Sequence, residues 1–154
     1  MSVNVSNGGV PKLPVESAEL TAGGVAGDRQ RDLRHHGGPE RAVCLYASEL
    51  IDGLRAEGHP IDAGTTGENL TLSGLDWESV TPGRVLRIGE VRLQVTSYTT
   101  PCSNIAPSFA GEEFTRISHK THPGWSRVYA RVLAGGTVRR GDPVELVDAP
   151  APTP

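Results

Sequence analysis

Glycine and proline constrain this chain more than any other feature of its sequence. The 154 residues include 19 glycines and 12 prolines, together about a fifth of the chain. Because both residue types disfavour helix interiors and favour turns, they divide the sequence into short segments. The pattern argues against a helical bundle and predicts a single β-rich domain with many turns.

Alternation of polar and apolar residues predicts seven or eight short strands. The segments with this pattern are 2–6, 15–21, 41–46, 67–72, 84–88, 91–96, 127–133 and 143–147. Gly89 and Glu90 separate two of them, which is typical of a two-residue hairpin. A helix is predicted to begin at Ser48, with apolar residues on one face, and to stop at Gly58. We therefore expect a mainly β, mixed or antiparallel barrel, closed or nearly closed, with one or two short helices.

Charge and hydropathy restrict the partners and the location. The net charge of −3 gives no positive field for a nucleic acid backbone, so we expect no nucleic acid partner. No apolar run approaches the roughly 20 residues of a transmembrane helix. The N-terminus lacks the basic segment and long apolar stretch of an export signal, which predicts a cytoplasmic protein that binds no membrane. The domain is expected over residues 1–148, with 149–154 as a disordered, Pro-rich tail.

The two cysteines occupy different sequence environments. Cys44 lies inside a predicted strand, which favours a small buried side chain. Cys102 follows Pro101 just past a predicted strand end, where a thiolate can act as a nucleophile, a metal ligand or a sulfur carrier. His119 and His122 do not have the spacing of a known zinc motif, and we expect them at the surface.

Three Gly-rich basic turns accompany Cys102. They are residues 8–12, 27–29 and 36–41. Exposed backbone N–H groups beside a lysine or arginine bind anionic groups such as a cofactor phosphate. The chain contains no GxGxxG, GxxxxGK[ST] or GxSxG motif, so nucleotide-driven and serine hydrolase functions have no sequence support.

These segments, taken in order, resemble the MOSC domain family, which is named for the C-terminal domain of molybdenum cofactor sulfurases. The resemblance rests on GGVPKLPV (8–15), GDRQ (27–30), HGGPERAV (36–43), GENL (67–70), PCSN (101–104) and GDPVEL (141–146). It extends over nearly the whole chain. It implies a β-barrel that binds molybdenum cofactor, a pterin with a dithiolene and a terminal phosphate.

The resemblance also implies roles for individual residues. Cys102 matches the reactive thiol of the family, which serves as a molybdenum ligand or as a carrier of persulfide sulfur. Seven residues are expected to bind the cofactor: Lys12, Arg29, His36, Gly37, Gly38, Arg41 and Asn69. A soft thiolate suits a metal that already carries sulfur ligands, and basic side chains neutralise a phosphate.

Three functions are compatible with this site. The first is reduction of N-hydroxylated compounds with Cys102 as metal ligand, which requires an external electron donor, a flavin or iron–sulfur protein. The second is sulfur transfer, in which Cys102 receives a persulfide from a separate pyridoxal-phosphate cysteine desulfurase. The third is a non-catalytic carrier of the cofactor. Longer reductases of the family carry helical sequence after the barrel, whereas this sequence stops after Val147 with its Pro-rich tail.

Overall fold

A computed structural model describes residues 1–6, 10–28 and 39–147 of the protein. These residues form eleven strands, one α-helix and five short 3₁₀ segments. The strands are β1 (Ser2–Val5), β2 (Leu13–Val15), β3 (Ser17–Thr21), β4 (Gly24–Val25), β5 (Val43–Ala47), β6 (Leu70–Leu72), β7 (Val85–Ile88), β8 (Val91–Tyr98), β9 (Val128–Ala134), β10 (Gly136–Arg139) and β11 (Glu145–Val147). The α-helix, α1, spans Ser48–Ala56, and the 3₁₀ segments are Pro39–Arg41, Trp77–Ser79, Ser103–Ser108, Ala110–Glu112 and Phe114–Ile117.

The strands form two sheets. The larger sheet has eight strands in the order β11, β7, β8, β9, β5, β6, β1, β2, and the smaller one has the order β10, β3, β4. All pairs are antiparallel except β5 with β6, which run parallel because α1 lies in the connection between them. The predicted mainly β class with few helices is confirmed.

Neither sheet closes on itself within the described part of the chain, so the prediction of a closed barrel is wrong there. The larger sheet ends at β11 and β2. Pro14 is the central residue of β2 and has no N–H to donate to a further strand, which suits an edge position. After Glu16 the chain leaves this sheet and β3 pairs with β10, so the predicted strand 15–21 is two strands in different sheets.

The β7–β8 hairpin was predicted from its sequence and is confirmed. Gly89 occupies the turn with φ of 60°, a conformation that favours glycine. In β8, Val91, Leu93 and Val95 are buried whereas Arg92 is exposed, as alternation requires. β4 and β10 were not predicted, because two- and four-residue segments rich in glycine carry little periodic signal.

Helix α1 lies in the connection between β5 and the segment that leads into β6. Its Ile51 and Leu54 are buried in the core, and the helix ends at Ala56. Gly58 follows with φ of 100°, and its N–H donates to the carbonyl of Arg55 at 3.0 Å, so it does mark the stop. The return of the chain into β6 places the segment before Leu70 beside β5.

Among the described helices, none has the length and apolar character needed to span a membrane.

Candidate functional site

Cys102 lies where the sequence placed it, four residues beyond the end of β8. Its carbonyl accepts the N–H of Ile105 at 3.1 Å, and the residue precedes the 3₁₀ segment Ser103–Ser108. Pro101 is buried, whereas Cys102 is partly exposed. A fixed backbone thus presents a solvent-accessible thiol at the end of a strand.

Cys44 is the contrasting thiol, and its predicted burial is confirmed. It lies in β5, is only 7% exposed, and its Sγ is 3.8 Å from Thr99 Oγ1. Burial raises the pKa of this thiol, although the positive charges of Arg127 and Lys12 oppose the effect. Cys44 is therefore a neutral thiol. It lies beside Thr99, the first residue after β8 on the way to Cys102.

Asn69 is hydrogen-bonded to β5 through both its side chain and its backbone. Its Oδ1 accepts the N–H of Cys44 at 2.9 Å, and its own N–H donates to the Cys44 carbonyl at 2.8 Å. Asn69 Nδ2 donates to Asp28 Oδ2 at 2.9 Å. The side chain therefore links the buried thiol strand to the loop that contains Asp28.

Asp28 is the carboxylate that joins Lys12 to Asn69. Lys12 Nζ donates to Asp28 Oδ1 at 2.7 Å and to Oδ2 at 2.8 Å, and the backbone N–H of Ser6 donates to Oδ1 at 2.9 Å. The Lys12 and Asp28 side chains are only 7% and 5% exposed. The structure thus brings Lys12 and Asn69 together, and it balances the charge of Lys12 with a buried carboxylate.

The backbone of Lys12 is fixed by a close approach to Gly64. The N–H of Lys12 donates to the Gly64 carbonyl at 2.8 Å. Gly64 has φ of 83°, and a Cβ atom at this position would lie 2.3 Å from the Lys12 carbonyl oxygen. Only glycine fits here, which shows how tightly the lysine segment packs on the loop before β6.

Arg41 lies against Tyr129 of β9. It is exposed, and its Cζ is 5.5 Å from the centre of the Tyr129 ring, within cation–π range. Tyr129 is the partner of Cys44 in the β5–β9 ladder. The pKa of Tyr129 is raised to about 12, chiefly by burial, and the positive charges of Arg127 and Arg41 oppose this shift. Arg41 and both cysteines are thus within electrostatic reach of one phenol.

Sequence reasoning missed three of the residues that the structure adds to the site. Glu68 is fully buried, and it accepts hydrogen bonds from the hydroxyls of Thr66 at 2.9 Å and Thr71 at 3.3 Å. Burial raises the pKa of Glu68, against the lowering effect of backbone hydrogen bonds, the Thr66 hydroxyl and the charge of Arg127. Arg127 and Tyr129 were assigned only to a strand. Glu68 lies inside GENL, and Asp28 lies in a turn that the sequence did single out, but nothing in the sequence pairs Asp28 with Lys12.

Four of the predicted cofactor-binding residues cannot be compared with this geometry. Arg29, His36, Gly37 and Gly38 lie outside the described residues. Their expected role stays a prediction.

The two histidines tested for zinc have separate environments. His122 is exposed, as predicted, but His119 is partly buried and stacks on Tyr98 with ring centres 3.6 Å apart. Residues 1–6, 10–28 and 39–147 contain no group of three His, Cys, Asp or Glu side chains able to hold a metal ion. His119 instead lines a cleft of about 250 Å³ together with Trp77, Glu78, Val80, Tyr98, Pro123, Gly124 and Ser126.

Comparison with known proteins gives the family relationship. A sequence model described as the MOSC domain matches residues 32–145. YflK of Bacillus subtilis, an uncharacterized protein, is 37% identical over 141 residues, 90% of this chain and 63% of YflK. YiiM of Escherichia coli is 33% identical over 133 residues, 83% of this chain and 58% of YiiM. A protein named "Reductase" from Gibberella moniliformis is 33% identical over 138 residues, 86% of this chain and 24% of that protein.

The fold agrees with this relationship. The crystal structure of YiiM from Escherichia coli superposes with a TM-score of 0.69 at 28% identity, over 96% of this chain and 70% of that one. The chain spans less than two thirds of the length of each of the three relatives compared by sequence.

Proposed function

Because this chain belongs to the MOSC domain family, we propose that it binds molybdenum cofactor and reduces N-hydroxylated compounds, with Cys102 as the metal ligand. The observation that carries the proposal is the partly exposed Cys102 thiol, held between the end of β8 and the 3₁₀ segment Ser103–Ser108. The name "Reductase" of the fungal relative agrees with this reaction class.

The chemistry of the available groups fits such a cofactor. A soft thiolate is a suitable ligand for a metal that already carries dithiolene sulfur, and the described residues offer no cluster that would hold a bare metal ion. Cys102 would bind the metal. Lys12, Arg29 and Arg41 would face the anionic parts of the cofactor, with His36, Gly37, Gly38 and Asn69 in the same pocket.

The bound cofactor would supply two-electron and oxygen-atom chemistry, and the protein would orient it and restrict water. An external flavin or iron–sulfur protein would deliver the electrons, because the chain carries no flavin motif and has only two cysteines.

Metal analysis of matched variants tests the ligand role. Wild type, Cys102→Ser and Ser103→Ala are produced in a cofactor-competent host, and molybdenum is measured per protein. Ser103 is the exposed neighbour of Cys102 and serves as the control. We expect about one molybdenum per chain in wild type and in Ser103→Ala. We expect Cys102→Ser to lose both the metal and the reduction of an aromatic amidoxime by a reduced viologen dye. Retention of the metal in Cys102→Ser would overturn the ligand role.

Sulfur transfer is the second candidate, because a carrier thiol must be reached by its partner enzyme and Cys102 is partly exposed. In this function a pyridoxal-phosphate cysteine desulfurase would place one sulfur on Cys102, which would then pass it to molybdenum cofactor. Mass spectrometry after incubation with a desulfurase and cysteine should show one added sulfur on Cys102. An unmodified thiol, together with amidoxime reduction by the metal-loaded protein, would favour the reductase.

A further inference from the structure

Arg127 is a buried cation that forms no salt bridge within residues 1–6, 10–28 and 39–147. The residue is only 5% exposed, and its Nη1 donates to the carbonyl of Thr66. Its Nε is buried and has no hydrogen-bond partner, and no carboxylate of the described residues forms a salt bridge with it. Buried guanidinium groups are ordinarily paired, because an uncompensated charge is costly away from water. Nε of this guanidinium is therefore left without a hydrogen-bond partner among the described residues.

Two buried carboxylates of the candidate site, Asp28 and Glu68, have other partners. Asp28 receives both of its strongest hydrogen bonds from Lys12. Glu68 is close enough for its charge to interact with Arg127, but it accepts the hydroxyls of Thr66 and Thr71 and lies beyond salt-bridge distance. The raised pKa of Glu68 also favours its neutral form. The charge of Lys12 is thus balanced by Asp28, whereas no carboxylate in the described part of the chain pairs with Arg127.

The backbone around Arg127 holds it in place. Its carbonyl accepts the N–H of Thr99 at 2.9 Å and the hydroxyl of Ser126 at 2.7 Å. The preceding residues are held by two buried aromatic side chains: Tyr46 donates to the Trp125 carbonyl at 2.6 Å, and Trp77 donates to the Ser126 carbonyl at 2.9 Å. A cation held by such a frame is preorganised for a ligand.

Arg127 lies two residues before Tyr129, the partner of Cys44 in the β5–β9 ladder. Its charge acts on Cys44 and on Tyr129, and Tyr129 in turn interacts with Cys102 and Arg41. Thr99, whose N–H binds the Arg127 carbonyl, places its hydroxyl 3.8 Å from Cys44 Sγ. Arg127 therefore lies in the same region as Cys44 and the segment that leads from Thr99 to Cys102.

We propose that Arg127 is an anion-binding residue of this site and that it takes a tetrahedral oxyanion such as a phosphate group. The planar guanidinium edge matches two oxygens of such an anion. A bound anion would also supply the negative charge that the described residues do not place against Arg127. The inference depends on the proposed function only for the source of the anion, which is either free inorganic phosphate or the phosphate of the bound cofactor.

Thermal unfolding of metal-free protein in inorganic phosphate tests the binding itself. A ligand that binds only the folded state stabilises it by RT ln(1 + [L]/Kd), so the rise of Tm with phosphate concentration reports binding and its Kd. Chloride at equal ionic strength is the comparison salt. We expect phosphate to raise Tm of wild type and, to the same extent, of Arg140→Gln, an exposed arginine control.

The response should disappear in Arg127→Gln and should need roughly tenfold more phosphate in Arg127→Lys, which keeps the charge but not the planar edge. Arg127→Lys also serves if Arg127→Gln does not fold. No phosphate response in wild type, or an equal response in either Arg127 variant, would overturn the proposal.

The same assay on molybdenum-loaded protein distinguishes the two sources. If the cofactor phosphate occupies Arg127, loading should abolish the response to added phosphate. If the response persists, Arg127 binds a free oxyanion. Failure of the proposed function would appear as wild-type protein without molybdenum, a result that leaves the assay on metal-free protein intact.

Discussion

Replacing Asp28 by alanine is the sharpest test of how the site is held together. The variant leaves the Lys12 ammonium buried, at 7% exposure, without the carboxylate that now lies 2.7 and 2.8 Å from it. It also removes the acceptor for Asn69 Nδ2 and for the Ser6 N–H. Loss of one partner from a buried ion pair typically costs about 3–5 kcal/mol, and we expect a decrease of this size in the free energy of unfolding.

The matching experiment is a double-mutant cycle in urea, followed by tryptophan fluorescence. Lys12→Met alone leaves Asp28 with two neutral donors, and the double variant buries no unpaired charge. The double variant should therefore lose less stability than the sum of the single losses, by about 1–3 kcal/mol. Glu16→Ala, which removes an exposed ion pair with Arg140, should cause no measurable loss. A loss below about 1 kcal/mol in Asp28→Ala, or additive effects in the cycle, would refute this account of the site.

Three further predictions follow from other contacts. The raised pKa of Glu68 means that the folded state holds this proton more tightly, so stability falls as pH rises above the ordinary value of 4.5. Glu68→Gln removes that loss, so its stability relative to wild type in urea should increase from pH 4.5 to 7, and a flat difference contradicts this. Iodoacetamide at pH 8 should label Cys102 at least tenfold faster than Cys44, as measured by peptide mass, and equal rates would contradict the burial of Cys44. Gly64→Ala should lose more than about 2 kcal/mol in chemical denaturation, well beyond Gly83→Ala, whose Cβ meets open space at a similar positive φ; similar losses would show that the close backbone contact is not what constrains Gly64.

The fold class followed from local patterns, whereas the arrangement of the sheets did not. Alternation and turn residues identified the β7–β8 hairpin and the strand character of β5 and β9. The same patterns merged β2 and β3 into one segment, because the switch between sheets at Glu16 changes hydrogen-bond partners without interrupting the extended backbone. Closure of a sheet depends on pairing between distant strands, which periodicity does not encode.

The candidate site likewise contains residues that motifs identify and residues whose role depends on tertiary contacts. Cys102, Lys12, Arg41 and Asn69 were identified from motifs, since turn residues and chemically active side chains are visible one at a time. Asp28 gains its importance only from the contact with Lys12, sixteen residues away.

By itself, the sequence determined the strand-rich class, the burial of Cys44, the position of Cys102 at a strand end and the family to which the chain belongs. Only the tertiary structure decided which charges are matched: Lys12 is neutralised by Asp28, whereas Arg127 is buried with no carboxylate in contact among the described residues. The physical reason is that burial and ion pairing are properties of several segments packed together. The sequence alone does not distinguish a charged residue that folding pairs with an opposite charge from one that folding buries without such a partner.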